Sequence, residues 1–434
     1  MSFRHFIEHL EKQGRIVKIQ KPVSKRLEAS GILAALGDRP VMLESIKESG
    51  FRVAGNLCTS KEAFASYFGV KPQELVPLMM KAIDSPTKPL VADKAPCQEE
   101  EMKAVDLDRL PILFHCEKDG GNYVSSGVFI IDKGEGLGQN LDFHRCMQIG
   151  KDRFSVRIVA RRDFDNALKR ANGEMDAVLC VGCPPNVLLA AATSVAENQD
   201  EMCIANALEP LTVVKAKMSN LMIPAECEFV LEGRMIKHRH EEGPFVDLTE
   251  TYDPVRMEPV FEVRKITHRR GAIWHALLPG KLEHRMLMGM PREPTIFRKV
   301  NEAGVKCLDV NVNPGGCSWL HAIVRIDKRN EDDGRKAIEA AFEGHKSAKH
   351  VFVVDKDIDI TDPLQVEWSM ATRFQANKHM VVKEKQRGSS LDPSSDMATT
   401  ETTKAGFDLT GPPNKKGTKF EKAEFPKVDV KDFL

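Results

Sequence analysis

Arg145 stands in a file of apolar side chains. Leu141, Phe143, Met147 and Ile149 alternate along one side of a single expected strand over residues 141–149, and the arginine falls on the same side. A guanidinium placed there must meet a carboxylate or bind an anion, because arginine is rarely buried alone. Residues 150–153 read as a hairpin turn, and the returning strand, 154–160, sets Arg157 between Val156 and Ile158. Two arginines on neighbouring strands make an anion site or, more plainly, salt bridges that hold a sheet. A second segment, Glu241-Glu242-Gly243-Pro244-Phe245-Val246-Asp247, puts a stiff Gly-Pro turn between carboxylates. Stiffness helps when an acid must be aimed at one atom. Glu242 and Asp247 can then act with Arg145, one acid kept ionised by the cation and the other free to move a proton. A solvated surface turn is the competing reading.

Other patterns carry less. The glycines at 134, 136 and 138 lack the last position of G-x-G-x-x-G and no helix pattern follows, so they read as a turn. Cys180 and Cys183 form a C-x-x-C with no second pair, which reads as two buried thiols rather than zinc ligands. His238 and His240 lie in a charged run and read as surface. Asp355, Asp357 and Asp359 lack the glycine and closing glutamate of a calcium loop.

The elements that must position these residues follow from pattern and composition. The chain has 434 residues, 42% apolar and 29% charged, enough for roughly three domains of ordinary size. Lys plus Arg is 63 and Asp plus Glu is 63, and without a cationic excess sequence-independent nucleic-acid binding is a poor fit. No apolar run nears the roughly 20 residues that span a bilayer, and the amphipathic N-terminus does not read as a secretory signal. Ten scattered cysteines fit reduced thiols, so the expectation is a cytoplasmic protein without membrane or nucleic-acid partners. Phe3, Phe6, Ile7 and Leu10 predict a helix capped by Ser2, and residues 24–36 predict another. Short strands from about 105 to 326 predict a barrel or strongly curved sheet, with 272–278, 307–312 and 319–326 among them. An α/β pattern returns after Asp332, and the Ser/Thr/Gly/Pro-rich stretch 388–419 reads as an extended arm.

Several separated motifs occur in order: Asn140-Leu-Asp-Phe-His-Arg145, Pro224-Ala-Glu-Cys-Glu-Phe-Val-Leu-Glu-Gly233, Glu242-Gly-Pro-Phe-Val-Asp247 and Pro314-Gly-Gly-Cys-Ser-Trp319. With residues 354–373, they resemble the UbiD family of decarboxylases, over most of the chain from about Leu107. The resemblance implies an α/β (α+β) chain with an N-terminal α/β domain over 1–100 and a central split β-barrel, flavin-reductase-like domain over 101–328. A C-terminal α/β domain with the arm would occupy 329–434. It also implies prenylated FMN, supplied by a flavin prenyltransferase and held through its phosphate with a divalent metal, usually manganese, and potassium. The metal ligands match Asn140 and Glu201. The family's histidine falls near Arg161, which leaves a third ligand to phosphate, water or another side chain. Flavin contacts match Phe143, His144, Arg145, Arg157, Ile158, Val159, Arg162 and Asp163, and the catalytic triad matches Arg145, Glu242 and Asp247. Lys404 is expected to reach a phosphate, and the arm to be exchanged across a homodimer or larger homo-oligomer.

The compact length and the missing histidine suit the archaeal branch that turns trans-anhydromevalonate 5-phosphate into isopentenyl phosphate for isoprenoid synthesis by the mevalonate route. Cations near the site suit a substrate with both carboxylate and phosphate, and an aromatic content of 6% favours an aliphatic acid. An aromatic or polyprenyl-hydroxybenzoate decarboxylase is the runner-up. A non-catalytic flavin-binding carboxylase subunit comes third, because Arg145, Glu242 and Asp247 are all present.

Overall fold

The computed structural model describes residues 2–433 apart from 397, 424 and 427. They form two compact units, Met1–Pro294 with Pro314–Trp319 and Ser390–Ser394, and Thr295–Asn313 with Leu320–Ser389 and Ser395–Leu434. No helix among the described residues is long and apolar enough to cross a membrane.

In the first unit the opening helix, Phe3–Lys12, buries Phe3, Phe6, Ile7 and Leu10, and the Ser2 hydroxyl accepts the His5 N–H. The second helix starts later than its pattern predicts, at Glu28, because Leu27 takes a positive φ of 65° that no helix can include, while the Ser24 hydroxyl accepts the Arg26 N–H in a turn before it. Strands Val17–Ile19, Val41–Leu43 and Arg52–Gly55 make a small sheet completed by Ile273–Ala276, which runs parallel to Arg52–Gly55. That strand therefore does not join the large sheet as expected. All four of its residues are buried, as a parallel strand covered on both faces requires.

The large, nine-stranded sheet carries the chemistry. Its main strands are β1 (Tyr123–Val124), β2 (Val128–Asp132), β3 (Gln139–Phe143), β4 (Cys146–Gln148), β5 (Arg153–Val156), β6 (Met175–Val181), β7 (Phe229–Glu242) and β8 (Arg256–His268). They are ordered β1-β4-β5-β8-β7-β6-β2-β3, with Glu100–Glu101 paired to β8. The expected single strand 141–149 is in fact two. β3 pairs with β2 near one end of the order, whereas β4 pairs with β1 and β5 near the other. Only His144 and Arg145 separate them, and three peptide steps reach at most about 11 Å. The sheet must therefore curl until its ends nearly meet, as a half-barrel, with Arg145 at the seam. Two register shifts between β7 and β8 accompany the curl. Phe129, Phe154, Phe229, Leu231 and Phe261 belong to the core on the sheet.

The glycines at 134–138 form the β2–β3 turn, and His238 to His240 are exposed on β7. Cys180 and Cys183 are buried thiols with Cys97 and Cys227 close by. Among the described residues no group of three His, Cys, Asp or Glu is arranged to hold a metal ion.

The second unit is built on a five-stranded sheet ordered Cys307–Asn311, His321–Ile326, His350–Asp355, Glu401–Leu409, Met380–Arg387. The first two strands were expected in the central barrel, but they pair here. The stretch 388–419 is not simply an arm either: Glu401–Leu409 is an interior strand, parallel to His350–Asp355 and antiparallel to Met380–Arg387. Lys404 is buried, its ammonium donating to the Lys346 carbonyl over the Phe342 ring. It serves this unit internally, contrary to the phosphate role expected of it.

Candidate active site

Arg145 lies just outside both strands, where the half-barrel closes. Its Nε and Nη2 each donate to Glu242 at 2.9 Å, a two-pronged fork, while Nη1 donates to Asp247 Oδ2 at 2.6 Å and Nη2 to Asp253 Oδ2 at 2.7 Å. Its guanidinium also stacks over Phe245, 4.5 Å from the ring centre. Burial alone would push the guanidinium down, but Glu242, Asp247 and Asp253 outweigh it and hold it above the ordinary arginine value. The division expected from the sequence, one acid held and the other free, is not how the contacts fall: Arg145 bonds both. Its salt-bridge reading and its chemical reading thus describe one arrangement.

The acids arrive from β7 and the loop after it. Glu242 is the last residue of β7 and fully buried. The chain then turns at Gly243 (φ 105°), where an added side chain would stand 3.1 Å from the Pro254 carbonyl oxygen and 3.2 Å from the Val255 Cα, and the Gly243–Pro244 peptide is cis. Phe245–Val246 pairs with Tyr252–Asp253 in a short ribbon. This ribbon is what brings Asp247 and Asp253 to one guanidinium. Asp247 Oδ1 accepts the Leu248 N–H at 2.6 Å, so both its oxygens are engaged. Burial opposes ionisation of Asp253, yet Arg256 and Arg145 hold it below the usual carboxylate range.

The matched flavin-contact residues divide into two groups. Segments 143–145 and 157–159 lie side by side: Arg157 N–H donates to the Arg145 carbonyl at 3.1 Å, and His144 Nδ1–H to the Arg157 carbonyl at 2.9 Å. Burial would lower the His144 imidazolium, but Asp142, 2.9 Å from Nε2, raises it instead. Arg157 sits one residue beyond β5 and pairs with Glu258 at 2.9 Å, so it is not half of a free anion site with Arg145. Phe143 is half-buried and Ile158 buried. Val159, Arg161 and Arg162 are exposed, because the chain leaves the sheet at Val156, earlier than expected. Arg161 is not on a strand. It takes a left-handed conformation (φ 64°) held by its N–H to Asp165 at 2.7 Å. Asp163 opens helix α1 (Asp163–Arg170), and burial raises its carboxyl.

The matched metal ligands meet behind β3. Asn140 is buried on β3, and its amide nitrogen has no partner. Glu201 starts helix α2 (Glu201–Leu208), is buried, and accepts the Leu141 N–H at 3.2 Å. Burial pushes its carboxyl up to about 8, against the pull of Lys133. One Asp142 oxygen nearby is likewise unpartnered. The Asn140 amide oxygen, the Glu201 carboxylate and the unpartnered Asp142 oxygen are the hard oxygen donors that a divalent ion takes, so Asn140 and Glu201 fit the group they were matched to.

Three descriptions of 3-octaprenyl-4-hydroxybenzoate carboxy-lyase match in sequence order: its N-terminal domain at residues 7–83, its Rift-related domain at 89–282 and its C-terminal domain at 285–409. A Methanocaldococcus jannaschii protein named anhydromevalonate phosphate decarboxylase is 38% identical over 93% of this chain and 96% of its own. The chain belongs to the UbiD family. UbiD-family membership makes it a decarboxylase, of the carboxy-lyase class. The UbiD-class enzyme HmfF from Pelotomaculum thermopropionicum, solved with FMN, superposes with a TM-score of 0.96 at 32% identity, covering 100% of both chains. An evolved dimeric form of that enzyme, solved with prFMN, gives 0.91 at 30% identity, again covering 100% of both.

Asp253 and Lys133 escaped the sequence reading. Asp253 precedes a proline in an unremarkable Tyr-Asp-Pro, and only the ribbon turns it onto Arg145. Lys133 is fully buried, its ammonium donating to the Gln199 carbonyl at 2.6 Å. Its one sequence signal was a lysine directly after an apolar strand and before a glycine turn.

Proposed function

We propose that this chain decarboxylates trans-anhydromevalonate 5-phosphate to isopentenyl phosphate, with prenylated FMN as cofactor. The observation that carries the chemistry is the buried Arg145 fork holding Glu242, Asp247 and Asp253 where the half-barrel closes. The name of the M. jannaschii relative favours this phosphorylated unsaturated acid over an aromatic one.

Bound prenylated FMN supplies the electron sink that an sp² carbon lacks when its carboxylate leaves. The chain supplies position and a proton. Asn140 and Glu201 would hold a manganese or similar divalent ion that anchors the cofactor, with potassium as a further counter-ion, and the exposed Arg161 and Arg162 would offer cations to its phosphate. Phe143, His144, Ile158 and Val159 would contact the flavin, in segments cross-linked by the His144–Arg157 hydrogen bond. Arg145 and Glu242 keep Asp247 in place, and Asp247 delivers a proton to the carbon that lost its carboxylate. A flavin prenyltransferase supplies the cofactor, and the chain works as a homo-oligomer, as the dimeric HmfF form does.

The test is reconstitution with prenylated FMN and manganese, followed by the phosphorylated alkenoate and a panel of hydroxybenzoates, with carbon dioxide as the readout. Turnover of the alkenoate alone is expected. Turnover of a hydroxybenzoate alone would transfer the chain to the aromatic branch, and turnover of none would make it a flavin-binding subunit.

A further inference from the structure

Strand β3 carries its polar side chains on one face. Asn140 stands opposite Ile131 and Asp142 opposite Phe129 on β2, two residues apart and so on the same side of the sheet. His144, just past the strand end, continues the file, and its ring packs on Phe129 and Phe164. The Asn140 amide nitrogen and Asp142 Oδ1 are buried, and no hydrogen bond engages either.

Glu201 reaches the same stretch from the strand edge. Its carboxylate accepts the N–H of Leu141, the residue between Asn140 and Asp142, at 3.2 Å. Burial raises the Glu201 carboxyl, and the charge of Asp142 adds to that. Lys133 pulls the other way, but its ammonium is bonded to the Gln199 carbonyl. Asp142 is itself fixed by His144. The ring bonds the Arg157 carbonyl through Nδ1 and sets Nε2 2.9 Å from Asp142 Oδ2. The imidazole therefore takes one carboxylate oxygen and leaves the other over. A salt bridge alone would strand Oδ1 out of water and unpaired, which is costly for a charged group.

We propose that Asp142 is the third protein ligand of the divalent cation, beside Asn140 and Glu201. This rests on the reading of those two as the metal anchor. Arg161, the position matched to a histidine, cannot serve, because it is an exposed guanidinium off the strand with no lone pair to give. Asp142 offers a hard anionic oxygen from the face that already carries Asn140, the kind of donor manganese or magnesium takes. One amide oxygen and two carboxylates make the set, so no trio of acids, thiols or imidazoles is needed, and the described residues hold none. Charge follows from the exchange. A carboxylate in place of a neutral imidazole puts two negative groups on the ion instead of one, so the protein holds it before any cofactor phosphate arrives.

The test titrates flavin-free protein with Mn2+ alone and follows the electron paramagnetic resonance signal of the free ion, in wild type, Asp142→Asn, Asp142→Ala and Glu201→Gln. Melting curves in chelator and in Mn2+ accompany it. The wild type should bind the ion without flavin. Losing a group that merely supports a metal ligand costs about 10- to 100-fold in affinity, so Asp142→Ala should lose about 100-fold or more. Asp142→Asn keeps an oxygen but not the charge and should lose about tenfold. The rise in melting temperature on adding Mn2+ should shrink in the same order. If both Asp142 variants bind Mn2+ as the wild type does while Glu201→Gln is weakened, the anchor stands and the proposal falls. A lower melting temperature in chelator with an unchanged Mn2+ affinity would show Asp142 to be only the partner of His144, and would overturn it too. If the wild type takes up Mn2+ only with FMN in excess, the claim of binding ahead of the phosphate is wrong, and the same variants compared with FMN decide the ligand. If it takes up none in either state, or if Glu201→Gln matches it, the anchor reading fails and the third ligand with it.

Discussion

Asp247→Asn separates the proton donor from the scaffold around it, and its cost can be worked out from the contacts. Oδ1 accepts the Leu248 N–H and Oδ2 accepts Arg145 Nη1, both at 2.6 Å. Asparagine has one acceptor oxygen, so its amide must face one of these donors with another donor. The substitution is not isosteric in hydrogen bonding, although it is in volume. One lost and unsatisfied bond costs about 1–3 kcal/mol, which should lower the melting temperature by a few degrees in a chain of this size. Arg145 keeps its three bonds to Glu242 and Asp253, so the seam holds. Removing the proton itself should slow turnover about a hundredfold or more, the usual scale for general acid catalysis. The two effects are told apart by exchange of labelled carbon dioxide into unreacted acid, which needs bond cleavage but no proton. Exchange should survive in Asp247→Asn, with normal flavin content, while product formation collapses. If exchange and product formation fall together, Asp247 acts on cleavage or on the fold. If neither falls, the donor is another acid, and Glu242 is the first to examine.

Arg145→Lys should lower turnover at least tenfold despite the retained charge, because an ammonium cannot reproduce the fork on Glu242 while reaching Asp247 and Asp253; near wild-type rates would refute it. Glu201→Gln should reduce bound metal and bound flavin together, read by elemental analysis and flavin absorbance, and a loss of metal with full flavin occupancy would disprove the shared anchor. Ending the chain after Ser390 removes the interior strand Glu401–Leu409, so the second unit should fail to fold, as circular dichroism and proteolysis would report; a folded truncation would contradict the sheet order. In the same unit His350 Nδ1 and His321 Nε2 lie 2.9 Å apart. Burial, with His350 and Lys349, pushes His321 down from 6.5 to about 4. The unfolded chain then binds the proton first, so stability should be full above about pH 6.5 and fall as pH drops toward 4. His321→Gln should flatten that slope in melting curves, and an unchanged slope would assign it elsewhere.

What the sequence alone determined was local. The spacing of Phe3, Phe6, Ile7 and Leu10 was enough to place a helix, because one amphipathic face needs only one covering surface. The ordered motifs around Asn140, Arg145, Glu242 and Asp247 were enough to reach the family, since each keeps the chemistry of its side chains whatever lies between. Tertiary structure decided the rest. Residues 141–149 alternate as one strand would, yet curling of the sheet splits them into β3 and β4, because an apolar file does not say which neighbour each half will pair with. The polar stretch around Glu401–Leu409 looked like an arm, since composition does not register that a segment is flanked by two strands. Asp253 joined Arg145 through a short local ribbon whose partner strand follows the cis Gly243–Pro244 turn, and Glu250 tied the same loop to Lys281. A buried guanidinium announces in sequence that it needs partners. Which carboxylates answer depends on where the folded backbone brings them.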